Sequence, residues 1–392
     1  MRLALVTRRY WPLVGGAEVA MANLAHAFQR QGHETRIITA QWDRSWPTEI
    51  HHRGIPVIRL PQPRTRGWGT WRYVQALKRY LVTHRHELDA VLISMLKHDA
   101  FAAISSRAKH GLPIVLRAEG AGATGDMRWQ ETGRFGSWIR RATRQADALI
   151  APSRAIVEEL VAAGYDSRRI EAVDNGIPLP EMPASGAREA ARTSLADWNQ
   201  SLAAEVDQPV VVYTGRLHAG KGLLELVEAW VRVRERLPRA RLWLVGEGEL
   251  AQQLGQLIRA WDLESSVVMP GVFDDVADLL MAADVFVLPS HQEGLSLSLL
   301  EAMGAGLPCV VTDIPGNRQA IEPGRQGLLV PVRDAERLAG AMLELLNDPA
   351  RRDVMGRAAR ARVGANFSVE QMAKSHLEVL ERACQQVERR GA

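Results

Sequence analysis

Two carboxylates, Glu293 and Glu301, lie eight residues apart where an apolar run gives way to a helical pattern. Glu293 follows the apolar residues 285–288, and Glu301 falls inside the helix that the next residues predict. A helix that starts after a buried strand attracts anions, because its free N–H groups and its dipole favour negative charge. A glutamate there would repel a phosphate but could accept hydrogen bonds from hydroxyls of the same ligand. Hydroxyls beside phosphates are the chemistry of a sugar nucleotide.

The residues around the two glutamates extend this pattern. Gly294 follows the first glutamate, Ala302 and Gly304 follow the second, and Gly306 and Pro308 complete the element. The pattern resembles glycosyltransferase family 4, whose members carry two glutamates at this spacing and then a Gly-x-Pro sequence. Those enzymes are retaining, nucleotide-sugar-dependent transferases of the GT-B fold.

The resemblance implies a role for each residue of this element. Glu293 would hold hydroxyls of the donor sugar and stabilise positive charge at the anomeric carbon, and Glu301 would bind the ribose. The backbone amides of Gly294 and Leu295 would touch the sugar or the phosphate, and Ser296 completes this part of the predicted donor site.

A second element, the loop 215–222, follows the apolar run 210–214 and precedes a helix. Its glycines, beginning with Gly215, let the backbone turn tightly beside a ligand. Arg216 and Lys221 place positive charge where a leaving nucleoside diphosphate would accumulate negative charge. Family 4 enzymes hold the donor diphosphate at the same Arg-x4-Lys spacing. The structural alternative is a basic strand–helix turn with Lys221 in solvent.

A third element is the glycine pair Gly15 and Gly16, between the apolar run 3–6 and a helical pattern. Paired glycines at such a turn allow the backbone to approach a phosphate or a sugar. The pair resembles the N-terminal glycine loop of the family, which faces the donor. We expect the neighbouring Glu18 to be a charge of the first helical turn rather than a catalyst.

The chain departs from the family pattern after the apolar residues 114–116. Family members usually carry a histidine there, whereas this chain has Arg117 and Glu119. Two interpretations stay open: the two side chains contact the donor or the acceptor, or they pair with each other and shape the loop. With Arg128 and Trp129, which follow the same strand, they are our candidates for the acceptor side.

Short apolar runs alternate with helical patterns along the 392 residues, which predicts an α/β fold with parallel, doubly wound sheets. The resemblance implies the GT-B architecture, in which two Rossmann-like domains face a central cleft.

We expect an N-terminal acceptor-binding domain over residues 1–180 and a nucleotide-sugar domain over 209–368. Residues 181–208, introduced by Pro178, Pro180 and Pro183, would be the linker. A last helix at 369–389 would pack back on the first domain.

The amino-acid composition limits the metals, cofactors and partners that this protein is expected to bind. The two cysteines exclude zinc ligation by cysteine, and no histidine is spaced with carboxylates for a metal, so we predict no metal and no cofactor. No apolar run is long enough to cross a membrane. We expect a cytoplasmic protein that does not bind nucleic acid.

Charge is distributed unevenly along the chain. Residues 1–180 contain 26 Lys and Arg against 16 Asp and Glu. This basic half could attract an anionic acceptor or the inner face of an anionic membrane. Segment 64–86, which includes Arg66 among its basic residues, mixes arginines with tryptophans and tyrosines. That composition suits a lipid interface or a sugar, although a surface helix with a packed aromatic face would look the same.

The sequence therefore predicts a transferase that moves a hexosyl-type sugar from a nucleoside-diphosphate sugar to a glycan, a lipid-linked acceptor or a small molecule. Synthesis of cell-envelope polysaccharide or glycoconjugate is the expected setting. Two alternatives stay open: a sugar-nucleotide 2-epimerase, and a protein that binds nucleotide sugar without catalysis. The donor sugar, its nucleotide and the acceptor are not encoded by any motif.

Overall fold

The computed structural model describes residues 1–13, 15–65, 67–122, 125–182, 184 and 186–391. Arg66 of the aromatic and basic segment and Pro183 of the predicted linker lie outside the described residues. The chain divides into two compact units. Unit 1 consists of Met1–Gly176 and Val369–Ala392, and unit 2 consists of Ile177–Ser368.

Unit 1 is built on a sheet of eight strands within the described residues, in the order β3-β4-β2-β1-β5-β6-β7-β8. All neighbouring strands are parallel except β3 and β4. The apolar runs predicted the strands other than β3, which is short, polar and partly exposed at the sheet edge. The strands are β1 (Arg2–Val6), β2 (Glu34–Gln41), β3 (Glu49–His52), β4 (Ile55–Pro61), β5 (Ala90–Ser94), β6 (Ile114–Arg117), β7 (Ala148–Ala151) and β8 (Ile170–Ala172).

Helices cover both faces of this sheet, because its central strands are apolar on both sides and must be shielded from water. The helices of unit 1 are α1 (Gly16–Arg30), α2 (Trp68–Thr83), α3 (His98–His110), α4 (Asp126–Thr132), α5 (Gly136–Thr143), α6 (Arg154–Ala162) and, at the end of the chain, α15 (Val369–Gly391). Helix α15 belongs to this unit and contacts α1. Helix α4 was not predicted, since its residues show no apolar periodicity.

Unit 2 is built on six parallel strands within the described residues, in the order β11-β10-β9-β12-β13-β14. Each strand occupies one of the predicted apolar runs: β9 (Val210–Thr214), β10 (Arg241–Val245), β11 (Val267–Gly271), β12 (Val285–Leu288), β13 (Cys309–Thr312) and β14 (Gly327–Val330). The chain builds outward from β9 on one side and then crosses to β12 on the other. Connections therefore diverge at the carboxyl ends of β9 and β12, and such a switch point leaves a crevice in which ligands bind.

The helices of unit 2 pack around this sheet. They are α7 (Ala187–Trp198), α8 (Leu223–Arg236), α9 (Ala251–Ala260), α10 (Ala277–Ala282), α11 (Leu297–Gly304), α12 (Pro315–Ala320), α13 (Ala335–Leu346) and α14 (Pro349–Asn366). Helix α12 was not predicted, because its opening residues, Pro315-Gly316-Asn317, are typical of a turn.

The residues expected to be a linker contain helix α7, which packs on α10 within unit 2. Arg192 of α7 is buried and donates to Asp284 at 3.2 Å and to the Ala282 carbonyl at 3.0 Å. Arg188 also contacts Asp284, at 2.6 Å. A buried carboxylate needs such partners, so these contacts fix α7 to the start of β12.

No helix in the described part of the chain combines the length and the apolar content that a bilayer crossing requires.

Candidate functional site

The two predicted loops of unit 2 meet at the switch point. Strands β9 and β12 are parallel neighbours, and loop 215–222 and the segment 289–296 follow their carboxyl ends. The Lys221 ammonium contacts the Glu293 carboxylate, although the two residues are 72 positions apart. Glu293 Oε1 also accepts a hydrogen bond from Ser290 Oγ at 2.8 Å. The fold thus brings together a cation and a carboxylate that the sequence placed on separate motifs.

Both charges of this pair are largely shielded from water. The Lys221 side chain is 20% exposed and the Glu293 side chain is 14% exposed. Coulombic attraction is stronger at such partly buried positions than at an open surface, because less water screens it. The remaining exposed area lets a ligand reach both groups.

Arg216 adds a second positive charge to the loop. Its side chain is exposed and makes no ion pair with any residue that the structure describes. The loop around it is held by Tyr213, whose hydroxyl donates to the Arg216 carbonyl at 2.9 Å. Burial, with a smaller contribution from Glu293, raises the pKa of Tyr213 far above its usual value, so the hydroxyl stays a neutral donor. Arg216 is therefore available to an anion.

Two glycines leave room for the segment that carries Glu293. Gly222 has φ of +65°, and a Cβ atom there would lie 2.0 Å from the carbonyl oxygen of Pro289. A Cβ on Gly316, in the first turn of α12, would lie 2.0 Å from the Gly294 carbonyl oxygen and 2.5 Å from that of Glu293. Both distances are far inside van der Waals contact. Side chains at these positions would push the Glu293 segment out of place.

Polar residues that the sequence analysis missed hold the same segment. Thr312 Oγ1 donates to the Ser290 carbonyl, and Asn317 Nδ2 donates to the Thr312 carbonyl at 2.8 Å. The His291 amide donates to the Gly220 carbonyl at 2.9 Å, which ties the two loops together directly. The signal in the sequence was a polar residue at the end of each apolar run: Thr312 ends β13, and Ser290 follows β12.

The segment after Glu293 leads into α11 and presents backbone groups. Ser296 is the N-cap residue, but its hydroxyl contacts Ser298 Oγ at 3.0 Å and does not cap the helix. The first-turn N–H groups therefore have no side-chain cap. Leu295 is buried, and Gly294 has no side chain, so a ligand would meet this segment through its backbone.

Glu301 lies within α11 and is half-buried. Its carboxylate has no hydrogen-bond or ion-pair partner among the described residues. Burial, and to a lesser extent the charge of Asp275, raises the pKa of Glu301 to about 7. A carboxyl without a protein partner can accept hydrogen bonds from a ligand.

The predicted glycine loop of unit 1 lies where we expected it in the chain. Gly15 is the N-cap residue of α1, and Gly16 is the first residue of that helix. Glu18 is buried in the first helical turn, and a Cβ on Gly15 would lie 2.5 Å from its Oε2. The small residue at position 15 leaves room for that carboxylate.

Arg117 and Glu119 pair with each other, which is the second of the two interpretations that the sequence left open. The Arg117 guanidinium contacts Glu119 and the Asn175 side chain, and Glu119 Oε1 accepts from Ser94 Oγ at 2.8 Å. The Arg117 side chain is 0% exposed, and the Glu119 side chain is 9% exposed. Burial raises the pKa of Glu119, whereas the charge of Arg117 opposes that shift. Arg117 thus presents no surface to an acceptor, and the pair shapes its own loop.

The other two acceptor-side candidates lie on α4 with different exposure. The Arg128 side chain is 58% exposed and forms an ion pair with Glu131 at 3.5 Å. Trp129 is half-buried, with its ring centroid 5.1 Å from that of His98 and 5.7 Å from the Lys97 ammonium. Both can be reached by a ligand, unlike Arg117.

Comparison with known proteins identifies the family of this chain. The profile of the family described as "Glycosyl transferases group 1" matches residues 208–348, and that of the "Glycosyl transferase 4-like domain" matches 15–176. The α-maltose-1-phosphate synthase of Mycolicibacterium smegmatis is 28% identical over 405 aligned residues, which cover 97% of this chain and 98% of the relative.

Solved structures share the fold over nearly the whole chain. A sucrose-phosphate synthase from Thermosynechococcus elongatus has a TM-score of 0.79 at 24% identity, covering 97% of this chain and 98% of that protein. The Anabaena protein HepE, solved in complex with UDP and glucose, has a TM-score of 0.79 at 19% identity, covering 97% and 99%.

The family profiles cover both α/β units, and the relatives align from end to end. The chain therefore belongs to the GT-B nucleotide-sugar glycosyltransferases of the family 4 type.

Proposed function

We propose that this glycosyltransferase moves a hexosyl-type sugar to its acceptor with retention of the anomeric configuration, and that the site at the switch point of unit 2 binds the donor. The observation that carries this proposal is the contact between Lys221 and Glu293, with the unpaired Arg216 on the same loop as the lysine. Cations suit the diphosphate, and a carboxylate suits the sugar hydroxyls.

The departure of the nucleoside diphosphate is the step that needs charge stabilisation. As the bond between the anomeric carbon and the diphosphate oxygen breaks, negative charge moves onto that oxygen. Arg216 and Lys221 would stabilise this charge, and we propose that they do so without a metal or a cofactor. Their contribution is electrostatic, because fixed cations need little reorganisation during the step.

Glu293 would act on the other product of that cleavage. Its carboxylate would hold the hydroxyls of the sugar and oppose the positive charge that develops at the anomeric carbon. The acceptor hydroxyl would then attack from the face that the diphosphate leaves, and its proton would pass to a diphosphate oxygen. This front-face route retains the configuration and needs no covalent enzyme intermediate.

The nucleoside and phosphates would be held by neighbouring groups. Glu301, which has no partner in the described structure, would accept hydrogen bonds from the ribose hydroxyls. The backbone amides of Gly294, Leu295 and Ser296 would contact the sugar or the phosphates near the start of α11. We propose that the Gly15–Gly16 loop of unit 1 also contributes to donor binding. HepE was solved with UDP and glucose, so a uridine nucleotide is the first donor to test.

The acceptor would be a glycan, a lipid-linked glycan or a small molecule in cell-envelope synthesis, and unit 1 would bind it. Among the acceptor-side candidates, the accessible side chains of Arg128 and Trp129 support this assignment. Glu119 could participate only through the small part of its carboxylate that is exposed.

Peripheral contact with an anionic membrane is a further part of this proposal. Trp68 and Trp71 are each 52% exposed, and their rings stack with centroids 4.8 Å apart. Trp138 is 73% exposed on α5, and Phe135, beside that helix, lies under the Arg134 guanidinium. Exposed aromatic rings with arginines nearby are suited to the inner face of a membrane, where a cytoplasmic transferase would meet lipid-linked acceptors.

The direct test is release of nucleoside diphosphate from UDP- and GDP-sugars with a lipid and polysaccharide extract as acceptor. We expect release that depends on the extract and falls by about 100-fold or more in Lys221→Met and Glu293→Gln, because each change removes a charge used in bond cleavage. Glu228→Gln, on the exposed face of α8, is the matched control and should retain wild-type turnover.

Each rival gives a different result in the same assay. A 2-epimerase would convert the donor sugar without any extract, and a binding protein would hold the donor without releasing diphosphate. Acceptor-dependent release that survives both site substitutions would show that the chemistry takes place elsewhere.

Gly316→Ala tests whether the position of the Glu293 segment matters. The added methyl group would overlap the carbonyl oxygens of Gly294 and Glu293, so this segment must shift by roughly 1 Å. A displacement of that size costs about 100-fold in turnover when it moves a catalytic group. Transfer rates and thermal unfolding would be measured together. Gly340→Ala on α13, where a Cβ meets nothing within 4 Å, should leave the rate unchanged. Equal rates in the two variants would refute the positioning role.

The raised pKa of Glu301 predicts a pH dependence of donor binding. The ionised form accepts ribose hydrogen bonds best, and with a pKa of about 7 it becomes dominant as the pH rises through neutrality. The KM for the donor should therefore fall by about 10-fold between pH 6 and pH 8. Glu301→Gln should raise the KM at pH 8 and flatten this profile. An unchanged profile in the variant would show that another group titrates.

A further inference from the structure

A cavity of about 630 Å³ lies in unit 1. Its volume falls within the range of small-molecule sites. The lining comes from the carboxyl ends of β1, β2 and β4, which are neighbours in the sheet, and from the start of α2. Its lining includes Arg8, Trp42, Asp43, Trp46, Gln62 and Thr70, and we call it the Arg8 cavity.

Arg8 is held by neutral groups. Its guanidinium donates to Gln62 Oε1 at 2.9 Å and to Thr70 Oγ1 at 2.7 Å, and lies 3.2 Å from His98 Nδ1. Burial, then the Arg8 charge, lowers the pKa of His98 to about 4, so the ring is neutral and accepts from Arg8. A guanidinium has five N–H donors, so these contacts leave some for a ligand.

The charge of Arg8 is not neutralised by a carboxylate in direct contact. Burial raises the pKa of Asp99 on α3, and the charge of Arg8 opposes that shift, but no ion pair joins the two described side chains. Asp43 is already engaged, because its Oδ2 pairs with Arg64 Nη2 at 2.5 Å and its Oδ1 accepts from Ser45 Oγ at 2.8 Å. The charged groups of the lining, Arg8, Arg64 and Asp43, thus sum to a positive charge.

Two indole rings line the cavity, and a hydrogen bond holds that of Trp42 in place. Trp42 Nε1 donates to the Arg8 carbonyl at 2.9 Å. The Trp46 carbonyl accepts from Gln41 Nε2 at 2.7 Å, and the buried Arg59 guanidinium lies 5.3 Å from the Trp46 ring. A rigid aromatic face contacts the apolar face of a sugar ring at little entropic cost. Gln62 and Thr70 supply polar atoms for its hydroxyls.

We propose that the Arg8 cavity binds the acceptor, and that this acceptor is a hydroxylated ring that carries an anionic group such as a phosphate or a carboxylate. The proposal rests on the transferase function proposed above and adds the chemical class of its acceptor. Arg8 recognises the anion, the indole rings contact the ring face, and Gln62 and Thr70 orient Arg8. A free sugar phosphate and a lipid-linked anionic headgroup share this chemistry.

The test measures binding to the full chain by calorimetry. The probes are a hexose 1-phosphate, the neutral methyl hexoside, and a long-chain alkyl hexosyl phosphodiester in micelles. We expect at least one anionic probe to bind about 10-fold or more tightly than the methyl hexoside, since hydrogen bonds to charged groups are the stronger ones. Arg8→Gln should remove that preference, whereas Arg8→Lys should keep part of it. Arg9→Gln, one residue along and exposed, is the matched control and should bind as the wild type does.

Every outcome decides the proposal. Tight binding of the free phosphate assigns a soluble acceptor, and binding of the alkyl form alone assigns a lipid-linked one. Equal affinity for neutral and anionic probes, or a preference that survives Arg8→Gln, overturns the proposal. UDP binding is measured on the same samples. If UDP binds and diphosphate is released with the extract while the anionic probes fail, the acceptor class is wrong and the transferase function stands.

Discussion

The close approach of two loops at the carboxyl ends of β9 and β12 is the constraint on which the site depends. The loops can meet because Gly222 has no side chain to hold the Pro289 carbonyl away, and the contact places Lys221 against Glu293. Gly316 of α12 leaves room for the Glu293 segment on its other side. Hydrogen bonds of Ser290, Thr312 and the His291 amide stabilise the position of the segment that carries Glu293. A cation and a carboxylate that are both partly shielded from water can act on the diphosphate and on the sugar of one sugar nucleotide.

Unit 1 presents a different kind of chemistry. Its buried Arg117–Glu119 pair stabilises the loop where the family usually has a histidine, and the pair is closed to ligands on the arginine side. Arg8, which follows β1 and lines a cavity, instead has neutral partners that leave its charge uncompensated by direct contact. Recognition of an acceptor would thus depend on a residue that no motif identifies, which agrees with the variability of acceptors on a common fold.

Much of the fold could be predicted because buried parallel strands are continuous apolar runs, and all six strands of unit 2 follow that rule. Strand β3 was not predicted, because an exposed edge strand needs no apolar residues. Helix α12 was not predicted, because its first residues are typical of a turn. Within the site, Glu293, Arg216 and Lys221 could be selected from local patterns. The contact between Lys221 and Glu293, and the need for glycine at 316, arise from packing between distant segments, which no local pattern encodes.

We propose that Lys221 and Glu293 act on opposite ends of the donor. The most direct test is the affinity of UDP, which contains the diphosphate but no hexose, for wild type, Lys221→Met and Glu293→Gln. Loss of the cation should weaken UDP binding by about 10-fold or more, whereas loss of the carboxylate should leave it unchanged or tighten it, because repulsion of the diphosphate is removed. Equal weakening in both variants would contradict the claim, since it would mean that Glu293 supports the diphosphate rather than the sugar.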